Sequence, residues 1–252
     1  MSYSGDKARG PEELADLLET KEPVFLVGGQ AVNLWALHYY ERTIDLAPFV
    51  SRDVDLLGDR STLEEVASLA KAKPQFFATR PPTNALGVVI AHDKNGEPVL
   101  IEVLKYIRGV SDEELREPSY TFEIGEKRIS VCVPGPVALF KAKAANLADI
   151  NQDGRQDAKH LRILSRILPD YWKDVCAAVF SGKLKERKLI GHLEMMLDVI
   201  QSSKGQSALK NLSLNAFRLF DGLDSDRLSK VRSFCMKRLP QAIDHKSEDS
   251  EK

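Results

Sequence analysis

A chain of 252 residues, 43% apolar and 29% charged, is long enough to bury its own core and too evenly composed for a disordered or membrane-spanning protein. Its 36 basic and 37 acidic residues leave a formal net charge of −1, so no overall field draws it to nucleic acid or anionic lipid, and any such contact must come from a local patch. The opening MSYSGDKARGPEEL lacks the apolar core of a signal peptide, no apolar run approaches the ~20 residues needed to span a bilayer, and Cys132, Cys176 and Cys235 show no C-x-x-C spacing. The expectation is a cytoplasmic protein with buried structural cysteines.

In chain order, the first ten residues are polar and are expected to be mobile, after which Pro11, Glu12 and Glu13 open a short helix reaching about Thr20. Val24 to Val27 is an apolar run ending in Gly28-Gly29, and Ala31, Leu34, Trp35 and His38 then recur at helical spacing, giving strand, glycine turn, helix. Residues 43–51 carry Pro48 and read as a loop before a short strand through Asp53-Val54-Asp55-Leu56-Leu57. Ser61 and Glu64 form a capping-box pattern for a second helix that ends near Lys73-Pro74. Gln75 to Thr79, Leu86 to His92 and Val99 to Ile107 read as strands, the last two joined by the turn Asp93-Lys94-Asn95-Gly96. Tyr120 to Ile124 and Arg128 to Val133 repeat the hairpin pattern around Gly125, and Pro134-Gly135-Pro136 ends the strand-rich half. Val137, Phe140, Ala144 and Leu147 then mark one helix and Leu161, Leu164 and Leu168 another; three or four more follow between Tyr171 and Leu239, with breaks near Gly182, Gly205 and Asp221-Gly222. The expected fold class is therefore α+β: a mixed sheet with flanking helices over residues 1–134, a helical domain over 135–240 and a charged, disordered tail over 241–252.

The residues that carry chemistry lie in the first half. Asp53 and Asp55 stand at i and i+2 on a strand, so both side chains leave one face with Cα atoms roughly 6 to 7 Å apart. Magnesium takes hard oxygen ligands and is usually held by one or two carboxylates together with substrate phosphates, which a D-x-D pair suits. Glu102 sits between Ile101 and Val103 on another strand, where a carboxylate among apolar neighbours needs a function, and completing a metal site supplies one. In that arrangement Asp53 and Asp55 hold a nucleotide-bound ion and bridge to a second, while Glu102 ligates the second ion and activates an acceptor hydroxyl. Two ions about 4 Å apart stabilise the attacking and leaving oxygens of an in-line displacement. Gly28, Gly29 and the following Gln30 end a strand and open a helix, where free backbone N–H groups and the helix dipole favour a phosphate. Arg52 is placed to meet the same phosphates.

The segment FLVGGQAVNLWALHYYERTIDLAPFVSRDVDLL resembles the core of the nucleotidyltransferase superfamily, in which a Gly-Gly or Gly-Ser turn, a helix and a D-x-D follow in that order. It looks nearest to the AbiEii-like toxins of bacterial type IV toxin–antitoxin systems. VPGPVALFKAKAANLADINQDGRQDAKHLRIL is similar to that group's second signature, a lysine on a helix after the sheet followed by a basic-acidic pair opening another helix. By that resemblance Lys141 contacts nucleotide phosphates, Asp157 supports the site or acts on the acceptor, and an antitoxin protein is an expected partner. It covers about Val24 to Leu164. The interval from Gly29 to Asp53 is longer than the family's compact spacing, which makes 43–51 an insertion, and the third acid is Glu102 where relatives often carry Asp.

Competing motifs are weaker. Asp149, Asn151, Asp153, Gly154 and Asp157 match positions 1, 3, 5, 6 and 9 of a calcium-binding EF-hand loop, but His160 stands where a bidentate Glu is required, so a helix-to-helix connection is the simpler reading. Lys143 and Arg155 read as solvated helix and loop charges. His38, His92, His160 and His192 lack zinc-ligand spacing, and no P-loop, nucleophile-elbow or H-E-x-x-H motif is present. The sequence thus points to a magnesium-dependent enzyme that moves a nucleoside monophosphate from an NTP to a hydroxyl on a tRNA, a protein or a small molecule. The alternatives are an inactive binding or regulatory module on that fold, and a phosphotransferase on the same scaffold.

Overall fold

The computed structural model describes residues 7–78, 80 and 83–244. The expected tail beyond Asp244, the first six residues and the end of the strand expected through Thr79 lie outside them. The chain divides into two compact units, Met1–Ala142 and Lys143–Lys252.

The first unit is built on seven strands: β1 (Phe25–Val27), β2 (Asp53–Leu57), β3 (Gln75–Phe76), β4 (Ala85–His92), β5 (Pro98–Leu104), β6 (Ser119–Ile124) and β7 (Ile129–Pro134). They form one mixed sheet in the order β3-β4-β5-β2-β1-β7-β6. β1 runs antiparallel to β2 and parallel to β7, β2 is parallel to β5, and the β3-β4, β4-β5 and β6-β7 pairs are antiparallel. The centre is short because both β1 and β2 hand over to other structure within five residues.

Alternation along these strands sorts the side chains onto two faces. Val54 and Leu56 of β2 register with Ile101 and Val103 of β5, all fully buried. Leu26, Val89, Val131 and Val133 join them by the same registers. Helices α1 (Gly28–His38) and α3 (Arg60–Leu69) cover this face. On α1, Trp35 donates its indole N–H to the Pro134 carbonyl at 2.9 Å and meets the Tyr120 and Phe122 rings edge-on. On α3, Leu63 comes so close to Gly87 of β4 that an added Cβ would stand 2.8 Å from it and 2.4 Å from the Gln75 carbonyl. The opposite face carries Asp53, Asp55, Leu57, Leu100, Glu102 and Leu104.

Local signals account for several helix starts, α3, α4 and α8 among them, and for some of the differences from expectation. The Pro11 helix is a 3-10 turn ending at Leu17. The cap of α3 is Asp59, whose carboxylate accepts from the Ser61 and Thr62 N–H groups, rather than Ser61. Residues 43–51, expected as a loop, are not bare loop, since α2 (Tyr40–Thr43) and a 3-10 turn (Ile44–Leu46) run into them. A short helix α4 (Asp112–Arg116) is capped by Ser111 with Glu114 completing the box. The expectation of a mobile start fails at Arg9, which is 1% exposed and bonded on several sides.

Helix α5 (Pro136–Asp149) begins in the first unit and ends in the second. The second unit is helical: α6 (Asp157–Phe180), α7 (Glu186–Gln201), α8 (Ser203–Leu212), α9 (Ser229–Ser233), a π turn (Phe234–Arg238) and α10 (Leu239–Asp244). Its core is the apolar face of α6 against α7 and the 3-10 turn Phe217–Phe220, where the Trp172 indole donates to the Leu219 carbonyl at 2.7 Å. The break expected at Gly205 falls at Ser202, the cap of α8; Gly205 lies inside that helix, where a Cβ would come 1.8 Å from the Val199 carbonyl oxygen. No helix among the described residues is long and apolar enough to cross a membrane.

Candidate active site

The candidate site assembles where β1 gives way to α1. Val27 is opposite Asp55 on one side of β2, and Glu102 is opposite Asp55 on the other. Asp55 is therefore flanked directly by the glycine turn and by the third acid, and Asp53 lies two residues earlier on the same face, at the exposed end of the strand. Gly28 has φ +65°, and a Cβ there would stand 1.9 Å from Asp55 Oδ2. Glycine is required on both counts: the left-handed backbone disfavours a side chain, and the carboxylate fills the space one would need. Gly29 and Gln30 follow as the first turn of α1, which has no side-chain cap, so their backbone N–H groups face the same end of the helix.

Electrostatics mark Glu102 as the unusual member. Burial pushes its carboxyl up, and the charges of Asp55 and Asp53 push it further, to about 7. Both aspartates thus act on it as neighbouring anions. A carboxylic acid that half-ionises near neutral pH is suited to accept a proton from a hydroxyl, because base strength and availability are then balanced. The same cluster of hard oxygen donors suits magnesium rather than a softer metal. As the side chains stand, no group of three or more His, Cys, Asp or Glu among the described residues is arranged to hold a metal ion. The fit is therefore a pair of carboxylates on adjacent strands, Asp55 and Glu102, with Asp53 beside them. One or two carboxylates plus substrate phosphates is the ligand set magnesium commonly uses.

Several residues expected at the site are engaged elsewhere. Gln30 is 1% exposed, and its side-chain amide donates to the Arg9 carbonyl at 3.0 Å; only its backbone is available to a phosphate. Lys141 on α5 donates to Glu114 of α4 in a partly buried ion pair, which holds the Glu114 carboxyl below its usual range despite burial. Asp157 belongs to the second unit and is 1% exposed, receiving Lys143 Nζ at 3.0 Å and Arg155 Nε at 2.6 Å. Burial alone would raise its carboxyl, but the two cations hold it below the normal range. Lys143, 5% exposed, corrects the expectation of a solvated charge, whereas Arg155 is exposed as expected although it is paired. Arg52 is exposed immediately before β2.

The calcium-loop pattern does not form a ligand shell. Asp149 pairs with Lys204, Asn151 and Asp153 bond to each other, and Asp157 is committed to its cations. His160 is buried with both ring nitrogens unpartnered; burial, reinforced by nearby Lys143, lowers its pKa to about 3. Of the cysteines, Cys176 is buried while Cys132 and Cys235 are partly exposed, so the expectation of three buried thiols holds for one.

Sequence reasoning missed Arg9, Lys143 and Glu114. Ser111 and Glu114 at capping-box spacing were a readable sign of a helix, whereas nothing local marks Arg9 or Lys143 as buried. Scanned against models of protein families, curated proteins and solved structures, the chain finds no match.

Proposed function

We propose that the protein is a magnesium-dependent nucleotidyltransferase that moves a nucleoside monophosphate from an NTP to a hydroxyl acceptor. The observation that carries this reading is the position of Asp55 between the Gly28 turn on one side and Glu102 on the other. A glycine turn at a helix start, an aspartate and a carboxyl raised to about 7 are thereby neighbours, which supports phosphate binding, ion binding and proton acceptance at one place. Each element alone has an ordinary structural explanation; their adjacency on one face of the sheet does not.

In this reading Gly28 and Gly29 let the triphosphate approach the first turn of α1, whose N–H groups and dipole stabilise its charge. Magnesium, when bound, supplies Lewis-acid neutralisation of the phosphates and of the departing pyrophosphate. Asp55, with Asp53 beside it, would hold the cation that neutralises the phosphates, and Glu102 accepts the proton from the incoming hydroxyl. The acceptor oxygen then bonds to the α-phosphorus as the bond to the β-phosphate oxygen breaks, so one proton, one NMP and one pyrophosphate account for every atom. Positioning and charge neutralisation, rather than covalent catalysis, are the protein's contributions. Lys141 and Asp157 have no direct part in it.

The test is incubation with each α-labelled NTP, magnesium and cell extract, comparing wild type with D53N and D55N. Label transferred to an acceptor by wild type, and lost by at least ~10²-fold in the variants, is the expected result. Transfer unchanged in both variants excludes the assignment. A γ-label that moves in place of the α-label identifies phosphotransfer, and no NTP affinity with magnesium identifies a binding module.

A further inference from the structure

Arg9 lies outside every segment that the proposed chemistry names, yet it is among the most buried side chains of the first unit. Its backbone N–H donates to the Ser51 carbonyl and its carbonyl accepts the Ser51 N–H, both at 2.9 Å, so it pairs with the chain two residues before Asp53. The same carbonyl accepts the Gln30 amide at 3.0 Å, which ties it to the first turn of α1. Its guanidinium donates through Nε to Asp93 Oδ2 at 2.9 Å, in the turn that joins β4 to β5, and through Nη1 to the Lys7 carbonyl at 2.8 Å. Asp93 also accepts the Asn95 and Glu97 N–H groups, and these bonds with Arg9 hold its carboxyl below the usual range although burial alone would raise it.

One residue therefore bonds to the three segments that lead into the site: the glycine turn and α1, the approach to β2, and the turn that feeds the strand of Glu102. Stability alone is a poor reason for such a residue. Burying a guanidinium costs desolvation that a single ion pair does not reliably return, and Nη2 has no hydrogen-bond partner among the described residues. An apolar side chain of similar volume would commonly be as stable, but it would have no directional bond to Asp93.

We propose that Arg9 is a positioning residue for the candidate site: its backbone is bonded to the approach to β2 and to the start of α1, and its guanidinium holds the β4-β5 turn to them, so that Glu102 keeps its place beside Asp55 and Asp53. This rests on the functional reading above. Small displacements at such a site are expensive, since a shift of about 1 Å in a positioned group can cost ~10²-fold in rate.

The experiment measures Mn2+ binding by electron paramagnetic resonance, with ATP present, in wild type, R9Q, R9K, D93N and the surface control K127Q, each first checked by thermal unfolding. R9Q is expected to weaken Mn2+ about tenfold at temperatures where it stays folded, with D93N intermediate. R9K should recover most of the loss, because an ammonium still reaches Asp93, and K127Q should match wild type. Wild-type Mn2+ affinity in folded R9Q or D93N overturns the proposal. Should neither variant fold, the unmutated protein decides: binding is reciprocal, so Mn2+ with ATP must slow amide exchange at Arg9 and Ser51, and unchanged exchange there overturns the proposal equally. Wild type that binds no Mn2+ sinks the functional reading and the positioning role with it, whereas normal wild-type binding with unaffected variants sinks the positioning role alone.

Discussion

Glu102 shows how a single carboxyl reports its surroundings. Partial burial and two neighbouring aspartates raise its pKa to about 7 in the folded chain, against 4.5 for a free glutamate. A raised pKa means that the folded state prefers the protonated acid. Its contribution to stability is therefore fully present below pH 4.5 and is lost as pH rises through 7. In metal-free buffer, E102Q should match wild type near pH 4.5 and exceed it at pH 8, by about 1–2 kcal/mol after allowance for solvent screening. Urea unfolding of both proteins across that range checks this, and a difference that stays flat with pH would show that Glu102 ionises normally. Magnesium should narrow the gap at pH 8, since a cation returns what the aspartates withhold. Gly28 is the complementary case, where the residue matters for what it lacks: its hydrogen leaves room for Asp55.

Among the elements, α1 has the most to position, because it starts at the Gly28 turn beside Asp55 and must be held against the sheet. Trp35 does this through two kinds of contact, an indole hydrogen bond to Pro134 at the end of β7 and edge-on packing on Tyr120 and Phe122 of β6. W35F keeps much of the packing but leaves a buried carbonyl without its donor, a loss of about 1–3 kcal/mol. W35A adds a cavity and should cost about 3–5 kcal/mol. Denaturant midpoints separate these, and equal losses would mean that the hydrogen bond contributes nothing. At this scale the sequence was legible wherever a local rule applied. The D-x-D strand Asp53–Leu57 and the helix after Pro136 lie where their patterns place them. The cap of α3 was misjudged because Asp59 and Ser61 both satisfy capping chemistry, and only the backbone geometry selects Asp59. The five-residue α4 escaped notice because one turn of helix carries no periodicity.

Over the whole molecule, the two units rest on differently built cores. The first is a sheet with helices on its apolar face; the second is organised along α6, with a buried charge cluster at its start. Asp157 has a depressed pKa, so its stabilisation is present above the free-acid value of 3.8 and disappears as pH falls below it. D157A leaves Lys143 buried without its anion and should destabilise the protein by about 3–5 kcal/mol, while K143M combined with D157L should recover much of the loss. Thermal unfolding at pH 7 tests both, and a near-neutral D157A would show that Lys143 reaches solvent or another anion.

The sequence by itself determined the α+β class, the strand carrying Asp53 and Asp55, the glycine turn and the isolated acid at Glu102, because periodicity, turn chemistry and an acid among apolar residues are local signals. It could not determine who stands beside whom. Only the tertiary structure put Glu102 opposite Asp55, sent Lys141 to Glu114 and Lys143 to Asp157, and drew Arg9 from a polar leader into a buried clasp. Those pairings depend on sheet register and helix packing over tens of residues, where a hydrogen bond or an ion pair is decided by which backbone segments meet, and no local preference encodes that.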